Sequence, residues 1–121
     1  AKKAIKRDIS VYSRDSDEDY LLKISIIEKD VDAFKPDFIV YNAGTDIIEG
    51  DPLGNLQITP RGIIQRDELV FRWALRRNIP VLMVLSGGYQ RSNAQVIADS
   101  IENVIKNESK LKSQTELRDL Q

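Results

Sequence analysis

A chain of 121 residues, 41% hydrophobic and 31% charged, has the balance of one ordinary soluble domain and is short for two. Its 18 basic and 19 acidic residues leave a net charge of −1, so no strong field argues for nucleic-acid or anionic-membrane binding. Zero cysteines exclude disulfides and thiolate metal sites, and zero histidines remove the commonest general base and metal ligand.

No apolar run approaches the ~18–20 residues of a membrane-spanning helix. The basic opening "AKKAIKR" is not followed by the ~7–15-residue apolar stretch of a secretory signal. Asp8 to Tyr12, "DISVY", alternates apolar Ile9 and Val11 with polar positions and predicts a short strand. After the charged loop "SRDSDED", a helix is expected from Ser16, with Asp19 three residues on as a capping-box partner. Tyr20, Leu21, Ile24, Ile27, Val31 and Phe34 recur at helical spacing, and Pro36 disfavours helical geometry at Lys35.

"FIVYNAG", Phe38 to Gly44, is apolar without alternation, as a strand covered on both faces would be. A loop rich in Gly, Asp and Asn follows, with Pro52 inside it. Thr59 is a suitable N-cap for a second helix with Pro60 at its first position, a buried stripe of Ile63, Val70, Phe71, Ala74 and Leu75, and an end at Asn78. Trp73 lies off that stripe, on a flank or an interface. Arg76 and Arg77 complement the helix dipole, while Lys2, Lys3, Lys6 and Arg91 read as solvated.

"IPVLMVL" is a second doubly covered strand. Ser92 and Gln95 have capping-box spacing for a third helix, with Ala94, Ile97, Ala98, Ile101, Val104 and Ile105 on one face. From Glu108 the chain reads as a polar, frayed tail. The order β-α-β-α-β-α predicts an α/β fold, a parallel sheet between helices. Three strands leave two of them as edges, yet two segments read as central. The patterning therefore asks for a partner along the sheet edge or for a larger domain.

Ligands of open parallel sheets bind at the carboxyl ends of the strands. Two loops leave there, "NAGTDIIEGDPLG" and "SGGYQ", which brings Asp46 and Tyr89 toward one cleft. Asp46 is either a turn-forming aspartate or a carboxylate ligand for Zn²⁺, Mg²⁺ or Mn²⁺. Asp51, before Pro52, suits turn chemistry better. Tyr89 is either a rim residue or a phenol that donates to developing oxyanion charge, with Gly87 and Gly88 letting the backbone approach a ligand. "SGG" before a helix also permits an anion cradle.

Taken together, "YNAGTDIIEGDPLGNLQITPRGIIQRDELVF", "VLMVLSGGYQ" and "AQVIADSI" closely resemble the C-terminal part of the zinc-dependent histone deacetylases, most of all their class IV branch. The resemblance runs from about Ala1 to about Ile105. It implies a three-layer arginase-like α/β/α sandwich with a parallel eight-stranded sheet, of which residues 1–107 would be the C-terminal part and 108–121 a tail. It also implies that Asp46 is a zinc ligand and that Tyr89 hydrogen-bonds the substrate carbonyl. Gly87, Gly88 and Leu53 would line the acyl-lysine tunnel. The implied activity is hydrolysis of N-acyl-lysine in histones or other proteins, in nucleus or cytoplasm, as a chromatin regulator. The family's other zinc ligands, in an Asp-x-His motif, and its catalytic histidine pair are absent here, so these residues alone are expected to be inactive. They would need the N-terminal part of the catalytic domain. A small anion-binding module using "SGGYQRS", or a non-catalytic piece whose strand edge recruits a partner, remain the alternatives.

Overall fold

The computed structural model describes residues 2–88 and 90–113. After a short 3-10 turn at Lys2–Ala4 come helices α1 (Asp17–Ser25) and α2 (Ile27–Phe34), strand β1 (Ile39–Gly44) and helix α3 (Pro60–Arg76). Strand β2 (Val81–Ser86) and helices α4 (Arg91–Lys106) and α5 (Glu108–Lys112) complete the order.

Local chemistry sets most boundaries. Ser16 accepts from the Asp19 backbone N–H, and the Asp19 carboxylate accepts from the Ser16 N–H, closing a reciprocal capping box on α1. The helix expected through to Phe34 is broken near Ile26 into α1 and α2, and ends at Lys35 in the left-handed conformation, just before Pro36. Thr59 caps α3 by accepting from the Gly62 N–H, and Pro60 occupies the first turn.

β1 and β2 are parallel, with Ile39 opposite Val81 and Gly44 opposite Ser86. The strand expected at Asp8–Tyr12 does not form. A strand needs a ladder to satisfy its backbone, and among the described residues this segment pairs with none. It is held by side chains instead: Lys23 Nζ donates to the Ser10 carbonyl at 3.2 Å, and the Tyr12 N–H donates to Asp15 at 2.8 Å.

The core gathers on α3, against which α1, α4, α5 and β1 all pack. Ile58 and Ile63 are fully enclosed, with Tyr20, Ile48 and Val96 around them. Each such side chain contributes about 1.5–3 kcal/mol of hydrophobic burial. Trp73 is buried too, at 4% exposure, rather than lying on a flank. Arg77 binds α3 to α2 through Asp32 and Glu28 and also donates to the Trp73 carbonyl.

Ile39, Tyr41 and Ala43 of β1 turn toward the helices, whereas Val40, Leu82 and Val84 on the opposite face are exposed. The described residues thus supply one helix layer, and the face that the apolar patterning marks for cover is bare. α4 departs further from expectation. It starts at Arg91 with Gln90 at the cap and no side-chain capping bond, so Ser92 is not its cap. Its buried positions are Asn93, Val96 and Ser100, while Ala94, Ala98, Ile101 and Ile105 face outward. Polar groups on α3 and in the β1 loop claim the inward face of α4. The polar tail expected from Glu108 begins with α5, docked on α3 through buried Leu111, and residues 114–121 lie outside the described residues.

Candidate active site

β1 and β2 end side by side, at Gly44 and Ser86, so the loops that follow them share one rim. The Thr45 N–H donates to the Ser86 carbonyl at 3.2 Å, and Thr45 Oγ1 donates to the Gly87 carbonyl at 3.4 Å. Buried Asn93, from the first turn of α4, donates through Nδ2 to Thr45 Oγ1 at 3.0 Å. Asp46 follows as an exposed residue whose carboxylate lies against Gly87.

The two glycines have a steric reason to be glycines. Gly87 and Gly88 sit at φ +63° and +71°, the left-handed region that side chains disfavour. A Cβ on Gly87 would stand 3.0 Å from Asp46 Cγ, and one on Gly88 would stand 1.9 Å from Thr45 Oγ1. Their bareness lets the β2 loop close onto the β1 loop and brings the Asp46 carboxylate to the β2 side of the rim. Tyr89, the other half of the expected pair, lies outside the described residues. Leu53 is 81% exposed, and its N–H donates to Asp51 at 2.9 Å. Asp51 also accepts from the Gly54 N–H at 2.9 Å, the turn role its sequence position suggests.

Beneath the rim lies a polar network that the sequence reading missed. Arg66 and Asp67, both buried on α3, form an ion pair at 2.9 Å. Arg66 Nη1 donates to the Gly44 carbonyl at 2.6 Å. Asp67 accepts from the Tyr41 hydroxyl, and also from Ser100 Oγ at 2.6 Å. Burial pushes the Tyr41 phenol well above its ordinary value, so it stays a neutral donor to Asp67. The signal was in the sequence: charges at 66 and 67 interrupt the stripe Ile63, Val70, Ala74, where an amphipathic helix puts apolar residues.

A mostly apolar cavity of about 300 Å³ lies between α1, α2, α3 and β1, lined by Ile24, Ile27, Val31 and Trp73 and bordered by Tyr41 and Arg66 of this network. Asp46 does not reach it.

As a metal site the rim is partial. Among the described residues no three His, Cys, Asp or Glu side chains gather as a metal would require. Asp46 fits one carboxylate donor, held in a notch with glycine on its β2 side, and the described residues do not complete the set of three protein ligands a catalytic zinc takes.

An α/β framework whose two parallel strands end on one rim, with the Asp46 carboxylate exposed there, is the kind of edge at which ligands of open α/β sheets bind. The chain belongs to the histone deacetylase family: the model for the histone deacetylase domain matches residues 1–106. It is 50% identical over 105 residues to histone deacetylase 2 of Arabidopsis thaliana, covering 86% of this chain and 27% of that protein. Histone deacetylase 15 of the same plant is 29% identical over 94 residues, or 77% of this chain and 16% of the relative. Among solved structures, the HDA15 HD domain superposes with a TM-score of 0.62 at 29% identity, over 74% of this chain and 25% of that one. Acetylpolyamine aminohydrolase from Burkholderia pseudomallei shares the fold, with a TM-score of 0.62 at 23% identity, over 73% and 25%. The fold class is therefore the deacetylase and aminohydrolase α/β fold, and the chain spans about a quarter or less of the curated relatives it matches.

Proposed function

We propose that these residues form the C-terminal part of a zinc-dependent hydrolase that removes acyl groups from lysine side chains in histones or other proteins. The observation that carries the reading is the meeting of the Asp46 carboxylate with Gly87 at the ends of two adjacent parallel strands. The stretch from Tyr41 to Phe71 also resembles the class IV branch most, and class IV membership with a nuclear or cytoplasmic site of action is part of the proposal.

Zinc, when bound, acts as a Lewis acid toward the amide carbonyl and lowers the pKa of a water. Asp46 is one of its ligands. Tyr89 donates its hydroxyl proton in a hydrogen bond to the carbonyl oxygen as negative charge grows there, an interaction of the kind whose removal costs ~10²–10³ in kcat. Gly87, Gly88 and Leu53 form part of the wall past which the acyl-lysine enters. The chain has no histidine, the commonest general base, so the rest of the domain supplies the group that takes a proton from water.

The bare sheet face of Val40, Leu82 and Val84 and the outward stripe of α4 are where the rest of the domain packs. Residues 1–121 alone are accordingly inactive. The test is hydrolysis of an acetyl-lysine peptide by the full-length protein, with zinc removed by chelation and then restored. Activity that falls and returns with zinc supports the reading; turnover indifferent to chelation, or none with zinc present, refutes it.

A further inference from the structure

We propose that Arg66 is a positioning residue: from its buried place on α3 it sets the direction in which Asp46 leaves β1. This rests on the reading of Asp46 as a metal ligand. Gly44 is the last residue of β1, and its carbonyl accepts from Arg66 Nη1 at 2.6 Å, two residues before Asp46. The guanidinium is itself fixed. Its Nε donates to Asp67 Oδ1 at 3.0 Å, and Asp67 is held in turn by the Tyr41 hydroxyl on β1 and by Ser100 on α4. The strand end, α3 and α4 are thereby tied to one planar cation.

The energetics make a purely stabilising role a poor explanation. A buried Arg–Asp pair loses so much hydration that well-packed apolar residues of similar volume often hold a fold as well or better. Positions 66 and 67 lie on the stripe that carries Ile63, Val70 and Ala74, where such residues would fit the pattern. An apolar pair, however, has no donor for the Gly44 carbonyl and cannot orient the turn that follows. Metal ligands depend on such outer contacts, whose loss typically weakens binding about 10–100-fold.

The test is the zinc dissociation constant of the full-length protein, measured by competition with a chelating dye, alongside thermal melting. The paired change Arg66→Met with Asp67→Asn removes the donor and its counter-ion together. It should weaken zinc binding about tenfold while melting remains cooperative. Arg66→Lys keeps the charge but not the planar fork and should show a smaller loss; it carries the test if the paired variant does not fold. Wild-type zinc affinity in a folded variant of either kind overturns the proposal. Asp46→Asn separates the two ideas. If it loses zinc while the Arg66 variants keep it, only the positioning role fails; if it binds zinc normally, the metal-ligand reading fails and the positioning role with it.

Discussion

Asn93 and Thr45, 48 residues apart in sequence and both buried, are joined by a 3.0 Å hydrogen bond from Nδ2 to Oγ1. Through it the first turn of α4 grips the loop after β1, and Thr45 passes the constraint to the Gly87 carbonyl. Asn93→Ala should destabilise the full-length protein by about 1–3 kcal/mol, because it leaves buried polar groups without their partner. Urea unfolding measures this, and an unchanged midpoint would show that the bond does not hold the rim.

Gly88→Ala and Gly50→Ala separate crowding from backbone preference. Both glycines have positive φ, +71° and +82°. A Cβ on Gly50 would come no nearer than 3.6 Å to Gln90, while one on Gly88 would stand 1.9 Å from Thr45 Oγ1. Gly50→Ala should cost about 1 kcal/mol. Gly88→Ala should cost several times that, with local rearrangement. Equal melting temperatures for the two variants would contradict the rim packing described above.

Asp17 joins α1 to α3 by accepting the Thr59 N–H at 2.9 Å and the Thr59 hydroxyl, so it holds the residue that caps α3. Asp17→Ala should cost about 1–3 kcal/mol. Ser16→Ala, which removes only the α1 cap, should cost about 1 kcal/mol. The order of the two losses, read from denaturation midpoints, is the check.

Acid should loosen the segment before α1. The Lys23 ammonium, 2.5 Å from the Asp15 carboxylate, together with the Tyr12 N–H, holds that carboxyl below its ordinary value of 3.8. A carboxyl whose folded pKa is lowered adds stability above the unfolded value and loses it as pH falls through the folded one. Stability should therefore drop below about pH 3.8, and Asp15→Asn should flatten that part of the profile. An unchanged acid limb in Asp15→Asn would remove this pair from the account.

What could be read from the chain alone was local. Ser16 with Asp19, Thr59 with Pro60, and Lys35 before Pro36 each set a helix boundary with groups a few residues apart. The parallel pairing of β1 and β2 was legible from two apolar runs separated by a helix. The failures share a cause, since each depended on a distant partner. Asp8–Tyr12 has strand alternation but no ladder among the described residues. The apolar stripe of α4 faces outward because Asn93 and Ser100 are committed to Thr45 and Asp67. Arg66 reaches Gly44 across 22 residues, a contact no periodicity reveals.

The central claim is that Asp46 holds a zinc ion in the complete protein. The most direct measurement is zinc per chain, by elemental mass spectrometry, in full-length wild type and Asp46→Asn purified in parallel. The account predicts about one zinc per wild-type chain, the occupancy of a single catalytic site, and a large loss in the variant at unchanged folding. Equal zinc in both proteins would contradict it.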